Sequence, residues 1–134
     1  MQFLSFLHHS SIGLLILRLG VGAVFLVHGR QKWAMWKMQP SAQMSGRMLT
    51  LMKFLSLAEP LGSLAVIIGL LTQFAAMGLS LVMLGAIYLK ITAWQKKFSG
   101  DNGWEFEFIL LCAALSLILS GGGAIALDRI VFGI

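Results

Sequence analysis

Residues 54–91 read FLSLAEPLGSLAVIIGLLTQFAAMGLSLVMLGAIYLKI, two apolar runs separated only by Thr72-Gln73. Each run, 54–71 and 74–91, approaches the ~20 apolar residues that a helix needs to cross a bilayer. So short a link between two helices predicts an antiparallel hairpin. The runs are continuous and do not alternate between apolar and polar residues, so they do not resemble the strands of a membrane barrel. The stretch therefore predicts two neighbouring membrane helices.

Two further apolar segments, 12–27 and 106–119, flank this hairpin. The composition agrees, because charged residues make up 11% of the chain, whereas soluble domains carry about 25%. With interfacial flanks, the four segments predict spans at about 12–29, 52–71, 74–92 and 104–120. We therefore predict an all-α integral membrane protein, an antiparallel up-down four-helix bundle that forms one domain over residues 1–134.

The basic residues predict how this bundle is oriented. The loops after the first and third spans carry Arg30, Lys32, Lys37, Arg47, Lys53, Lys90, Lys96 and Lys97, whereas the opposite side carries only Arg129. By the positive-inside rule these loops face the cytoplasm and both termini lie outside. The four tryptophans flank the same loops, as interfacial anchors do: Trp33, Trp36, Trp94 and Trp104. The net charge of +5 follows from this asymmetry, so we expect a lipid bilayer and no nucleic acid as partner.

Glu59, followed by Pro60, is the most informative polar residue in the apolar runs. An isolated charge in hydrocarbon costs several kcal/mol or more, so this carboxylate must be neutral, paired or hydrated. Pro60 removes a backbone hydrogen bond and is expected to kink the helix, which would open a pocket beside the carboxylate. Glu59 is therefore a candidate for proton transfer or for hydrogen bonding to a bound head group. A structural pairing role is the alternative.

His28 ends the first span, and its imidazole is a type of group that titrates near neutrality. It is the second candidate for proton transfer or ligand contact, with helix capping as the alternative. Lys32, Lys90 and Glu105 also fall near the cytoplasmic interface, where snorkelling or helix capping would explain each one alone. Together with His28 and Glu59, they are predicted to line a cavity that faces the cytoplasm.

Arg18 lies near the outer end of the first span. It is predicted either to snorkel to the headgroups or to pair with Asp128, which should return to the same side. Cys112 is the single cysteine of the chain, which excludes a C-x-x-C redox site. His8-His9 has no suitably spaced partner ligands, so no metal is expected.

Small residues recur at helical spacing in the central runs, as at Ala58 and Gly62 and at Ala65 and Gly69. Such spacing lets membrane helices approach closely. It indicates a tight bundle, a homo-oligomer interface, or both.

Four motifs in this order resemble the DoxX family of small four-helix bacterial membrane proteins. Arg18 to Lys32 is similar to R-L-x-x-G-x-x-F-x-x-H-G-x-x-K, and 59–72 is similar to E-x-x-G…G-L-x-T. Residues 102–105 are similar to N-G-[YW]-E, and 121–129 to G-x-G…L-D-R. The resemblance extends over about residues 14–130. The chain departs from it in three places: Gln73 stands where the family usually has Arg, Gly122 replaces Pro, and Lys90 falls near a position often held by His.

The resemblance implies a multi-pass protein of the bacterial inner (plasma) membrane and a subunit of an oxidoreductase system. It implies a soluble redox-enzyme partner and, as cofactor, a quinone. In this hypothesis the catalytic candidates Glu59 and His28 contact the quinone head group or exchange protons with it. The further cofactor-binding candidates are Arg18, Lys32, Trp33, Glu105 and Asp128.

Two alternatives remain open from the sequence. The first is a non-enzymatic membrane scaffold that docks soluble partners on the basic stretch 28–53 and self-associates through its glycine faces. The second, less favoured, is a small-molecule or proton transporter, because Glu59 beside Pro60 is a possible intramembrane proton site. Whether the chain is itself an enzyme is not decided by its residues.

Overall fold

The structure is a computed structural model that describes residues 10–134, and the secondary structure in this part of the chain is entirely helical. The helices are α1 (Ser10–Gln31), a 3-10 helix (Lys32–Lys37), α2 (Gly46–Ile68), α3 (Thr72–Thr92), α4 (Glu105–Ser120) and α5 (Leu127–Phe132). Three are long and apolar enough to cross a membrane: α1 with its 3-10 extension, α2 and α3. The predicted all-helical class is confirmed for the described residues, which include three candidate membrane-spanning helices. The four-helix bundle and its antiparallel topology stay predictions.

The fourth predicted span, 104–120, coincides with α4. This helix holds 16 residues, fewer than the ~20 that cross a bilayer without help from its flanks. Its crossing of the membrane therefore stays a prediction.

Helix α1 packs mainly against α2, along a stripe that repeats every three or four residues. The buried members of the stripe are Arg18, Val21, Gly22, Phe25 and Gly29. A Cβ on Gly22 would overlap the side chain of Ile67, and a Cβ on Gly29 would overlap the ring of Pro60. These two glycines therefore let the helices approach closely, as small residues do in membrane bundles.

Helix α3 packs mainly against α4, and α2 and α3 contact each other less extensively. The shared core is built from buried apolar side chains: Val21, Phe25, Val66, Ala76, Leu79, Met83, Leu110, Leu111 and Leu117. The outward faces of the long helices carry large exposed apolar side chains, such as Ile16, Leu61 and Leu81. Continuous apolar surface of this kind is suited to contact with lipid.

The link between α2 and α3 lies earlier than the sequence predicts. Helix α2 ends at Ile68 and Gly69 caps it in the left-handed region at φ +74°, whereas Thr72 and Gln73 already belong to the first turn of α3. The Asp128 carboxylate accepts hydrogen bonds from the backbone N–H groups of Leu71 and Thr72, which start α3. The shift therefore follows from a cap supplied by a residue far along the chain.

Candidate functional site

A cavity of about 690 Å³ lies between α2 and α3. Its polar side chains are His28, Lys32, Glu59 and Glu107, and most of the remaining lining is apolar, from α2, α3 and Trp94. The end of α1, the start of the 3-10 helix, the middle of α2 and the start of α4 thus supply the polar groups. The cavity combines polar hydrogen-bonding groups with apolar walls.

Glu59 is fully buried and is held by Lys32. The ammonium of Lys32 lies 2.6 Å from both carboxylate oxygens, and the lysine side chain is 21% exposed. Burial of a carboxylate is tolerated when a cation pairs with it and hydrogen-bonds to it, as here. The predicted alternative, structural pairing, thus describes what Glu59 does in the fold, and the pair still lines the cavity.

Pro60 does not divide α2, which runs as one helix from Gly46 to Ile68. Because proline has no N–H, the carbonyl of Ser56 four residues earlier lacks its intrahelical donor. The indole Nε1–H of Trp33 donates to this carbonyl at 2.9 Å, and that of Trp36 donates to the Ser56 hydroxyl at 2.9 Å. The proline therefore creates an acceptor that fastens the 3-10 helix to α2 and holds Lys32 beside Glu59.

A second buried ion pair joins α3 to α4. The Lys90 ammonium lies 2.7 Å from one carboxylate oxygen of Glu107 and 2.8 Å from the other, and it also donates to the carbonyl of Gly103 at 3.0 Å. Lys90 is thus an internal partner and not a snorkelling residue. The sequence reasoning named Glu105 and missed Glu107, whose available signal was a second carboxylate two positions further along the same helix.

His28 lines the cavity and packs its ring on Phe106, with ring centroids 5.4 Å apart and an angle of 28° between the planes. This stacking joins the end of α1 to the first turn of α4. The His28 side chain is half-buried: its ring stacks on Phe106, and it also contributes to the cavity lining.

Arg18 and Asp128 belong to a different place, near the link between α2 and α3. The buried guanidinium of Arg18 donates to the carbonyls of four residues: Val66 (2.9 Å), Ile67 (2.6 Å), Gly122 (3.0 Å) and Ile125 (3.2 Å). Arg18 and Asp128 form no direct ion pair; Asp128 instead caps α3. Arg18 therefore ties the end of α2 to the segment that precedes α5.

The carboxyl of Asp128 has a pKa below its ordinary value. Burial alone would raise the pKa, but hydrogen bonds from Thr72 and Leu71 and the nearby charge of Arg18 outweigh it. The Thr72 hydroxyl contributes through its proximity, although it has no partner within ordinary hydrogen-bond geometry. The lowered pKa keeps Asp128 ionised, which suits its role at the positive end of the α3 dipole.

The predicted site residues thus separate into three groups. His28, Lys32 and Glu59 meet at the cavity, where Glu107 joins them. Trp33 supports Lys32 through Ser56, and Glu105 is exposed at the first turn of α4 and does not line the cavity. Arg18 and Asp128 lie apart from this cavity, where they bind backbone groups, and Asp128 lines a second pocket of about 440 Å³. Their role in binding a cofactor stays a prediction.

Within residues 10–134, no cluster of three or more His, Cys, Asp or Glu side chains is arranged to hold a metal ion. His8 and His9 lie outside the described residues. Cys112 is half-buried in α4 and is a free thiol.

The fold and site define a class: a helical membrane-type protein with a mainly apolar cavity that carries buried ion pairs. The DoxX family model matches residues 13–92. A protein of Bacillus subtilis (strain 168) named "Putative oxidoreductase CatD" is 34% identical over 125 residues, which cover 90% of this chain and 88% of the relative. The chain belongs to the DoxX family. No solved structure matches it.

Proposed function

We propose that this chain is a quinone-interacting membrane subunit of an oxidoreductase system. In this proposal α1 to α4 form an antiparallel up-down four-helix bundle in the bacterial inner membrane. The basic loops face the cytoplasm and both termini lie outside, as the charge asymmetry favours. A soluble redox enzyme on the cytoplasmic side supplies the electrons. The similarity to a relative named as an oxidoreductase supports the redox assignment.

The observation that carries the proposal is the cavity with Glu59 and Lys32 at its polar end. A quinone has a small polar head with carbonyl oxygens and a long apolar tail. The Lys32 ammonium and the His28 imidazole are of the types that donate hydrogen bonds to such oxygens, and the apolar walls suit the tail. The residues present therefore fit this group.

The chain's own residues have distinct roles in this proposal. A bound quinone supplies the electron-accepting chemistry. Lys32 orients the head, and its pair with Glu59 places a carboxylate oxygen where it can hold or release a proton. His28 supplies a second proton-exchanging group at the same end of the cavity. The hydrogen bonds from Trp33 and Trp36 to Ser56 keep Lys32 in position.

Quinone binding to the protein in nanodiscs tests this assignment. We expect Glu59→Gln and His28→Ala each to weaken binding of an isoprenoid quinone by about tenfold, the size of one hydrogen bond to a charged or polar group. The matched control is Glu105→Gln, which changes the same residue type on an exposed surface outside the cavity. Equal quinone affinity in the wild type and the three variants would refute the proposed quinone site.

A scaffold is the second candidate, and the exposure of the basic surface favours it. Arg30, Lys37 and Arg47 are exposed, as are the indole rings of Trp33 and Trp36 beside them in the chain. Neutralising the three basic residues should then abolish recovery of a soluble partner while quinone binding stays unchanged. Lys32 is left intact in this test because it pairs with Glu59. Unchanged partner recovery would count against docking on this surface.

A further inference from the structure

The apolar part of the cavity is lined by side chains of α2 and α3 that are also exposed on the surface. Three of its lining residues are also among the most exposed apolar side chains: Phe54 (66%), Phe74 (69%) and Leu81 (70%). In a bilayer such exposed apolar side chains would face lipid, which would make the cavity accessible from the hydrocarbon. From Phe74 to Leu89, the lining extends over about 22 Å along α3 at 1.5 Å per residue.

Two glycines on α3 leave room inside this cavity. Gly78 and Gly85 line the cavity two helical turns apart, and a Cβ on either would meet nothing within 4 Å. Gly62 on α2 differs, because its Cβ would lie 3.2 Å from Leu79, where the two helices touch. The space beside Gly78 and Gly85 therefore belongs to the cavity and is not needed for packing between helices.

The polar end is balanced in charge. Lys32 is matched by Glu59, and Lys90 is matched by Glu107, with N–O distances of 2.6–2.7 Å. An anionic head group would have to compete with a carboxylate that already holds each of these lysines, and a cationic head group would have to displace a lysine. An uncharged head with hydrogen-bonding oxygens can be accommodated without breaking either pair.

We propose that this cavity is a laterally open slot for an uncharged, polar-headed isoprenoid lipid, whose tail lies along Gly78 and Gly85. The inference rests on the proposed quinone function and adds the route of entry, the tail site and the discrimination against charged lipids. The head lies at the Lys32–Glu59 pair, and the tail leaves toward the bilayer between α2 and α3. The ligand thus enters from the membrane and not from water.

A Cβ at either glycine meets no atom within 4 Å, so a leucine at that position would extend its side chain into the tail site. The probes are a long-tailed isoprenoid quinone and a quinone with the same head and no isoprenoid tail, each titrated against the protein in nanodiscs. We expect Gly78→Leu and Gly85→Leu to weaken the long-tailed quinone about tenfold and to leave the tail-less one unchanged. Gly20→Leu is the matched control, because Gly20 also has open space around it but lies on α1, outside the cavity.

The outcomes separate this inference from the function on which it rests. If the wild type binds both quinones and neither glycine variant changes the affinity for the long-tailed one, the tail slot is wrong and the quinone site stands. If the wild type binds neither quinone, both proposals fail. Displacement of the long-tailed quinone by an anionic phospholipid at equal concentration, with no effect of a neutral phospholipid, would overturn the selection for an uncharged head.

Discussion

The ion pair between Lys32 and Glu59 can be tested by its contribution to the free energy of unfolding. Lys32→Met leaves a fully buried carboxylate without its cation, and Glu59→Gln leaves the ammonium facing a neutral amide. Breaking a buried pair by removing one partner costs about 3–5 kcal/mol. Because the Lys32 side chain is 21% exposed, water screens part of the charge interaction. We therefore expect each single substitution to lower the free energy of unfolding by about 2–3 kcal/mol.

The double variant Lys32→Met/Glu59→Gln removes both charges and should cost less than the sum of the two single substitutions. The expected coupling is about 2 kcal/mol, within the range for residues in direct contact. The assay is reversible unfolding of the four proteins in mixed micelles. Lys37→Met is the control, because Lys37 is exposed and its loss should change the free energy by less than about 0.5 kcal/mol. If the double variant costs as much as the two single substitutions together, to within about 0.5 kcal/mol, the pairing is refuted.

Three further predictions concern the rest of the fold. Arg18→Lys should destabilise the protein by on the order of 3 kcal/mol in the same assay, because an ammonium cannot reproduce the guanidinium's bonds to four carbonyls; a neutral effect would contradict this role. The lowered pKa of Asp128 stabilises the fold above pH 3.8, the ordinary value for an aspartate, and this contribution is lost as the pH falls through the folded-state pKa. The wild-type melting temperature should therefore fall more steeply with acidification than that of Asp128→Asn, and parallel curves would exclude the effect. Gly29→Ala should lower the melting temperature by several degrees because its methyl group overlaps Pro60, whereas Gly20→Ala should not lower it.

Hydropathy predicted the positions of the helices well because membrane helices are selected by length and apolar content. It placed the link between α2 and α3 too late, because Thr72 and Gln73 look like a polar break. The turn is decided by Gly69 and by the cap from Asp128, 56 residues beyond Thr72. A contact across that distance in the chain leaves no local signal.

Part of the cavity lining could be predicted from the sequence. The grouping of His28, Lys32 and Glu59 followed from their placement near one interface, and the structure places all three at the cavity. The prediction names Glu105 because it opens the helix, and it overlooks Glu107. Residues two apart on a helix point to nearly opposite sides, and which side faces inward is decided by packing against Lys90.

Pro60 shows the same limit of sequence reasoning. The sequence predicts a kink at Pro60 that opens a pocket. In the structure α2 continues through Pro60, and the carbonyl of Ser56, which the proline leaves without a helical donor, accepts a hydrogen bond from Trp33. The missing N–H was foreseeable from proline alone. The partner that replaces it comes from a different helix and could not be identified without the fold.

Native mass spectrometry of the protein released gently from its own membrane tests the central claim most directly. The wild type should retain a mass that matches an isoprenoid quinone, and Glu59→Gln should lose it while Glu105→Gln keeps it. The variants must show the same helical content, so that a lost ligand is not confused with a lost fold. A wild type that carries no lipid of this class, or a quinone that is retained equally by Glu59→Gln, would contradict the assignment of the cavity.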